Sequence, residues 1–332
     1  MSVSRLPLRV APIKGETLPG FTIRLAERNG VSSPQTIAKS LGSPYSTLQA
    51  AALGPFDLQP VSDGADVPIE TLASMTYWPT GHGNELRFLE TTVDPEMLSL
   101  KHRKACPSCL SEKPFHRAVW DLQLVTACPV HQVRLISTCQ ECGRRLRWQS
   151  ASITNCLCGA DLRRASTEPV PSLELDGLSL IYAVLGLNGL EDKRTGPVAD
   201  LDFKDLLALM LHLGWFGSGA RKRFAPVLLS RRDLAPHQYL QIGFMACQDW
   251  PTSFSHYLEA LCERSTAPYW RATRLRLLAE WVTAPERSEA LRSLVFPRLR
   301  EFMNRGCDPR AEYHLHRTLS VAGPQSSHSR GD

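Results

Sequence analysis

The residues of this chain that are best suited to chemistry are cysteines in closely spaced pairs. Seven of its 10 cysteines lie between Cys106 and Cys158, and His131 follows Cys128 as the second member of a Cys-x2-His pair. Thiolate and imidazole are preferred Zn2+ donors, and two close pairs supply the four donors of a tetrahedral site. The predicted metal ligands are Cys106, Cys109, Cys128, His131, Cys139, Cys142, Cys156 and Cys158.

The order of these pairs predicts two structural Zn2+ sites. The first four ligands make a cysteine–histidine set and the last four a four-cysteine set, and the spacing leaves open an exchange of pairs between them. An iron–sulfur cluster in the four-cysteine set is the less favoured alternative, because His131 completes the companion site. Gly143 and Gly159 directly follow two pairs and permit sharp turns. Four protein ligands leave no open position for water, so we expect structural rather than catalytic ions.

Positive charge is concentrated in the segment that holds the cysteines. The formal net charge of +5 divides into −3 for residues 1–100, +7 for residues 101–164 and +1 for residues 165–332. With two ions and seven thiolates the middle segment would still carry about +4. Five arginines near the four-cysteine set could therefore contact phosphate, or could be ordinary solvated side chains. They are Arg144, Arg145, Arg147, Arg163 and Arg164.

The helix start and stop signals along the rest of the chain predict a mainly α protein. We expect an N-terminal helical domain over residues 1–100 and a tandem zinc-finger or ribbon domain over residues 101–164. A C-terminal helical domain over residues 165–322 and a disordered tail over residues 323–332 would follow. Helix signals occur before Gly30, after Ser33, and from Phe203, Phe254, Arg274 and Glu289 onward, with Pro297 interrupting the last. Residues 54–70, rich in Pro, Gly and Asp, are predicted to be a loop.

One N-terminal segment, Thr36–Leu48, has the pattern of a helix-turn-helix. Ala38 would pack against the second helix, Gly42 would form the turn, and Ser43 would cap the helix that follows. Many helical hairpins that contact no nucleic acid share this pattern. The side chains that would face a DNA groove are Tyr45, Ser46 and Gln49.

No set of residues predicts an enzyme. The chain lacks the Gly-x4-Gly-Lys loop that cradles nucleotide phosphates. The remaining cysteines, Cys247, Cys262 and Cys307, occur in helical contexts and are predicted to be small core residues. No apolar run approaches the roughly 20 residues of a membrane-spanning helix. With no secretory signal at its start, the chain is expected in the cytoplasm.

Three motifs resemble the TniQ family, which is related to TnsD. Glu16–Gly30 is similar to the family's start, where Glu-x-Leu precedes an apolar helix that ends in Asn-Gly. Cys106–Cys109, then Trp120, then Cys128–Cys139 has the family's order of pairs and aromatic residues. Asp249–Phe254 resembles a Trp-Pro-x-x-Phe segment in the family's helical C-terminal half.

The resemblance implies a non-catalytic role in transposition. Members of this family join helical domains to tandem zinc fingers and recruit an AAA+ ATPase regulator, which brings the transposase to its target. Some dock on a CRISPR effector complex with its guide RNA and form homodimers, whereas others bind target DNA directly. All eight ligands carry over by resemblance, but no partner contacts do. The alternative from another class is a sequence-specific, zinc-containing DNA-binding transcription regulator.

Overall fold

A computed structural model of the chain describes residues 5–42, 56–81, 85–187, 189–190, 192, 194, 196–219, 234–263 and 268–305. This part is mostly helical, as the sequence predicts, and divides into two compact units. The first unit is residues 1–193 with 229–238, and the second is residues 194–228 with 239–332. The three-domain division remains a prediction, and the tail at 323–332 lies outside the described residues.

The first unit contains six complete α-helices and two small antiparallel sheets among its described residues. The helices are α1 (Leu18–Arg28), α2 (Pro34–Ser40), α3 (Gln59–Ala65), α4 (Ile69–Ser74), α5 (Pro107–Glu112) and α6 (Asp176–Val184). In the first sheet, β1 (Leu86–Phe88) pairs with β2 (Thr91–Val93). In the second, β3 (Ala127–Cys128) pairs with β4 (Val133–Arg134).

Local signals explain where α1 and α2 begin and end. The Thr17 side chain caps α1 by accepting a hydrogen bond from the Gly20 amide, and Gly30 follows its end with a positive φ of 67°. Ser33 caps α2, and Pro34 occupies its first position, where a missing amide proton costs nothing. Both predicted helices are confirmed. The second half of the predicted helix-turn-helix lies outside the described residues.

The prediction of a loop over residues 54–70 was wrong for Gln59–Ala65 and from Ile69 onward. Within its described part, residues 56–70, the stretch contains α3 and the start of α4, with Pro60 in the first turn of α3. Val61 and Ala65 are buried in the core, and Asp66 ends α3 with a left-handed backbone. Proline and glycine therefore occupy positions that a short helix tolerates, and burial of the apolar residues between them stabilises it.

The core of the first unit joins the N-terminal helices to the cysteine-rich segment. Phe21 of α1, Ile37 of α2 and Val61 of α3 share one hydrophobic cluster with Trp148 and Ile153. The Trp148 indole N–H also donates to the Leu100 carbonyl at 2.8 Å. These helices and the cysteine-rich segment are therefore packed together rather than joined only through the chain.

The stretch Thr167–Ser172, which contains Pro169 and Pro171, is tied to the cysteine-rich segment by hydrogen bonds. The Arg134 amide donates to the Glu168 carbonyl at 2.9 Å, and the Val170 amide donates to the Gln132 carbonyl at 2.8 Å. Val170 itself is buried. The chain therefore runs beside β4 before it enters α6.

The described part of the second unit is helical. It contains α7 (Phe203–Gly217), α8 (Pro236–Cys247, from Tyr239 onward), α9 (Thr252–Glu263), α10 (Pro268–Val282) and α11 (Glu289–Asn304). The predicted helices correspond to α7, α9, α10 and α11, whereas α8 was not predicted. The last helix, α11, continues through Pro297 instead of being interrupted. Cys247 and Cys262 are buried core residues, as predicted, whereas Cys307 lies outside the described residues. Among the described helices, none has the length and apolar character needed to cross a membrane.

Two glycines allow α7 and α8 to approach closely. A methyl group on Gly214 would overlap the Tyr239 carbonyl, and one on Gly243 would overlap the Met210 carbonyl. The two backbones are therefore in direct contact, which no other residue type would permit without a shift of one helix.

The Gly243→Ala variant should destabilise the second unit by roughly 1–3 kcal/mol, because the added methyl overpacks this contact. Met245→Ala is a matched control on the same helix, since Met245 is 60% exposed. It should change stability by about 0.5 kcal/mol or less. Urea unfolding followed by tryptophan fluorescence and circular dichroism measures both. Alanine favours an isolated helix over glycine, so a stabilised Gly243→Ala protein would contradict the proposed contact.

Candidate metal centres

The cysteine–histidine cluster (Cys106, Cys109, Cys128 and His131) is assembled by α5 and the β3–β4 hairpin. Cys106 directly precedes α5, and Cys109 lies within its first turn. Cys128 ends β3, and His131 lies in the turn that leads to β4. The turn closes through Gln132, which has a positive φ of 53°. A short helix and a short hairpin thus place two donors each around one point.

The distances between these donors match those of a tetrahedral zinc site. Cys109 Sγ lies 3.7 Å from Cys128 Sγ, and the sulfurs of Cys106, Cys109 and Cys128 lie 3.6, 3.3 and 3.5 Å from His131 Nδ1. Zn–S and Zn–N bonds of ordinary length give tetrahedral edges of about 3.8 Å for S···S and about 3.5 Å for S···N. A disulfide would need sulfurs about 2.05 Å apart. The cluster therefore fits a zinc ion.

The four-cysteine cluster (Cys139, Cys142, Cys156 and Cys158) is built from two tight turns. Cys139 Sγ lies 3.8 Å from Cys158 Sγ, and Cys142 Sγ lies 3.8 Å from Cys156 Sγ. The glycines that follow Cys142 and Cys158 have φ values of 66° and 92°, as the predicted turns require. Their amides donate back to the carbonyls of Cys139 and Cys156, each at 2.9 Å. Cys158 is exposed, so this cluster lies nearer the surface than the first.

The structure groups the donors as the order of the pairs predicts, without exchange between sites. Within each set of four, the ligand atoms all lie within 4.8 Å of one another. Both sets could hold a metal ion, and their donors are those that zinc prefers. In both, four protein donors would surround the ion, which is the arrangement of a structural site.

Arg103 supports the four-cysteine cluster through hydrogen bonds to the chain around it. The sequence analysis missed this residue. Its side chain is buried, and its guanidinium donates to the carbonyls of Arg147, Ile153 and Asn155 at 2.8–3.1 Å. It also donates to Ser150 Oγ at 2.8 Å. The Arg103 guanidinium thus fixes the stretch of chain that connects Cys142 to Cys156. Its place in a basic run gave no signal of burial.

Glu112 supports the cysteine–histidine cluster by contacting one of its ligands, His131. Its carboxylate Oε1 lies 2.9 Å from Nε2 of His131, whose other nitrogen, Nδ1, faces the cysteines. A histidine that binds metal through Nδ1 donates its Nε2 proton, and a carboxylate acceptor fixes that tautomer and the ring orientation. The only sequence clue to this role was that Glu112 lies three residues after the ligand Cys109, at the end of α5.

A buried polar network lies in the same unit and has a structural role. Asp121 accepts hydrogen bonds from the Tyr77 hydroxyl and from His116 Nε2, each at 2.8 Å. Lys104 Nζ donates to the carbonyls of Leu122 and Val125, and burial lowers the pKa of Lys104 to about 7. Burial also lowers the pKa of His116. Asp121 and His116 are each 1% exposed, so a substrate could not reach them.

The five arginines predicted to contact nucleic acid are all exposed. Asp161 binds the Arg163 guanidinium at 2.8 Å and lies 3.9 Å from Arg164. Within the described residues, Arg144, Arg145 and Arg147 form no ion pair. The helix-turn-helix candidates Tyr45, Ser46 and Gln49 lie outside the described residues, and their role remains a prediction.

The fold and the clusters define a class: mostly helical proteins with two closed, cysteine-rich sites that could hold metal ions. Residues 7–135 match the model of the TniQ family, so this part of the chain is a TniQ domain and the resemblance is confirmed. TniQ proteins are associated with transposition and are generally not catalysts. No curated protein matches the chain. The matched range includes the cysteine–histidine cluster and ends before Cys139.

The wild-type protein should hold two zinc ions per chain, and the Cys158→Ser variant should retain one. Cys158 is exposed, so the substitution removes a donor of the four-cysteine cluster without opening the core. Cys247→Ala is the control, because Cys247 is buried in the second unit and belongs to neither cluster. Metal analysis after gel filtration measures the content. Equal zinc in Cys158→Ser and wild type would contradict the assignment of Cys158 as a ligand.

The Glu112→Gln variant should weaken zinc binding at the cysteine–histidine site by about tenfold, because an amide is a poorer partner for His131 Nε2–H than a carboxylate. Competition with a chromophoric chelator measures the affinity of each site. The four-cysteine site serves as the internal control and should keep its affinity. A change of the same size at both sites would mean that Glu112 acts on the fold as a whole.

Proposed function

We propose that the protein is a non-catalytic adaptor for the selection of transposition target sites. It would link a target-recognition element to the AAA+ ATPase regulator that recruits the transposase, and would act in the cytoplasm. The target-recognition element would be either a CRISPR effector complex with its guide RNA or the target DNA itself. The observation that carries the proposal is the TniQ match over residues 7–135, which includes a complete metal-fitting cluster.

The physical basis of the proposed role is a rigid platform. Two structural Zn2+ ions would lock the cysteine-rich segment, whose Trp148 and Ile153 share a core with α1, α2 and α3. The ions would therefore hold the N-terminal helices and the two metal clusters at a constant angle. An adaptor needs such a frame, because two partners that bind different faces are brought together only if those faces keep their relative positions. One partner surface could also be a second copy of this chain.

A sequence-specific DNA-binding transcription regulator is the second candidate. It is favoured by Arg144, Arg145 and Arg147, which are exposed beside the four-cysteine cluster and form no ion pair within the described residues. Such a regulator would bind one DNA site about tenfold or more tighter than others, with a steep dependence on salt. The adaptor would bind DNA weakly and without selection.

The deciding experiment starts from the DNA on either side of the gene. Genes for an AAA+ ATPase and a DDE-type transposase should lie there, and a CRISPR array beside them would indicate RNA-guided targeting. The purified ATPase should then bind the zinc-loaded protein and lose that binding when both ions are chelated. Binding that survives complete chelation would refute the rigid platform. Neighbours without transposition functions, together with selective DNA binding, would favour the regulator.

A further inference from the structure

A cavity of about 490 Å³ borders the cysteine–histidine cluster in the first unit. Cys109 and Glu112 contribute to its wall, and so do the loop before α1 and the turn after α6. Its volume lies within the range of roughly 300–1,000 Å³ that is usual for ligand sites in proteins. Neither the metal clusters nor the proposed platform gives this space a role.

Arg117 lines the cavity and has unused hydrogen-bonding capacity. It is 7% exposed, and its buried Nε and Nη1 atoms have no acceptor. The guanidinium carbon lies 4.3 Å from the centre of the Phe115 ring and 5.0 Å from that of Trp120. The rings hold the guanidinium in place but leave these N–H donors unsatisfied. A buried cation with free donors is a strong attractor for an anionic group.

Two exposed lysines bring further positive charge to the cavity. Lys113 follows α5, and Lys14 lies before Gly15, whose carbonyl accepts from the Ala118 amide at 2.8 Å. This backbone pairing brings Lys14 to the same wall as Arg117. The lining holds three cations against the Glu112 carboxylate and the single negative charge of a zinc-loaded cysteine–histidine cluster. With zinc bound, the cavity therefore keeps a net charge of about +1.

Apart from Tyr182 and backbone at glycines, the rest of the lining is apolar. Ile13, Phe115 and Leu187 lie there together with Val130, which is 45% exposed. A polynucleotide backbone is usually contacted by exposed charges, whereas this cavity places a nearly buried guanidinium among apolar walls. That combination suits an acidic side chain whose neighbours in a peptide are apolar.

We propose that this cavity docks a glutamate or aspartate side chain presented by a protein partner, with an apolar neighbour of that residue packed near Val130. The carboxylate would accept hydrogen bonds from Arg117, while Lys14 and Lys113 would attract it to the opening. That the partner is a protein rests on the proposed adaptor function. The cavity adds the chemistry by which that partner would be recognised.

The test compares two peptides that differ by one charge. Calorimetric titration of the zinc-loaded full chain uses N-acetyl-Leu-Glu-Leu-amide and its isosteric Gln counterpart, each up to about 10 mM, so that dissociation constants near 1 mM are measured. The Glu peptide should bind at least about tenfold tighter, because only it supplies a charged acceptor. Equal affinities, or no binding of either peptide, would overturn the proposal.

Variants at the opening separate the cavity from general electrostatic attraction. The double variant Lys14→Gln, Lys113→Gln should weaken binding of the Glu peptide roughly fivefold, since each exposed charge contributes little alone. Arg87→Gln is the matched control, because Arg87 is an exposed cation of β1 that does not line the cavity. Equal losses in the two proteins, or displacement of the peptide by a single-stranded oligonucleotide, would refute the assignment. These titrations contain no ATPase, so failure of the adaptor function and failure of the cavity are read separately.

Discussion

The cysteine-rich part of the first unit depends on how the electrostatic repulsion between its clustered thiolates is removed. Sulfur and nitrogen donors lie 3.3–3.8 Å apart in two clusters, and thiolates at that separation repel one another strongly unless a cation lies between them. A divalent ion removes that repulsion and supplies bonds in its place. Because the donors come from a helix, a hairpin and two turns, each ion would tie separate elements to one point. The zinc-fitting geometry is therefore the constraint around which this segment is built.

The features that the sequence predicts correctly are those decided within a few residues. Cys-x2-Cys spacing, a serine before Pro34 and a glycine after α1 act locally, so their outcomes do not depend on the rest of the fold. The grouping of the donors follows because adjacent pairs are joined by short connections. The start of α7, capped by the Asp202 side chain, is a further local signal. The fold class and the arrangement of both clusters were predictable for this reason.

The features that the sequence analysis missed depend on contacts between distant residues. The α3 helix forms where Pro and Gly indicate a loop, because Val61 and Ala65 gain burial against α1 and α2. Arg103 is buried by residues more than 40 positions away, and the role of Glu112 depends on the hairpin that brings His131 to it. A basic run and a lone acidic residue look the same in sequence whether they are exposed or buried. Only the packed structure distinguishes these cases.

The two clusters are physically linked, although the family match covers only the first. The Arg103 amide donates to the Leu146 carbonyl at 3.0 Å, and its guanidinium spans the turns of the four-cysteine cluster. The Ala105 amide, one residue before Cys106, donates to the Ile136 carbonyl at 2.9 Å. The segment over residues 103–105 therefore belongs to both clusters at once. Loss of metal from the four-cysteine cluster should loosen Arg103 and, through Trp148, the core that also supports α1 and α2. Residues 139–158 thus support the TniQ domain even though they lie beyond its matched range.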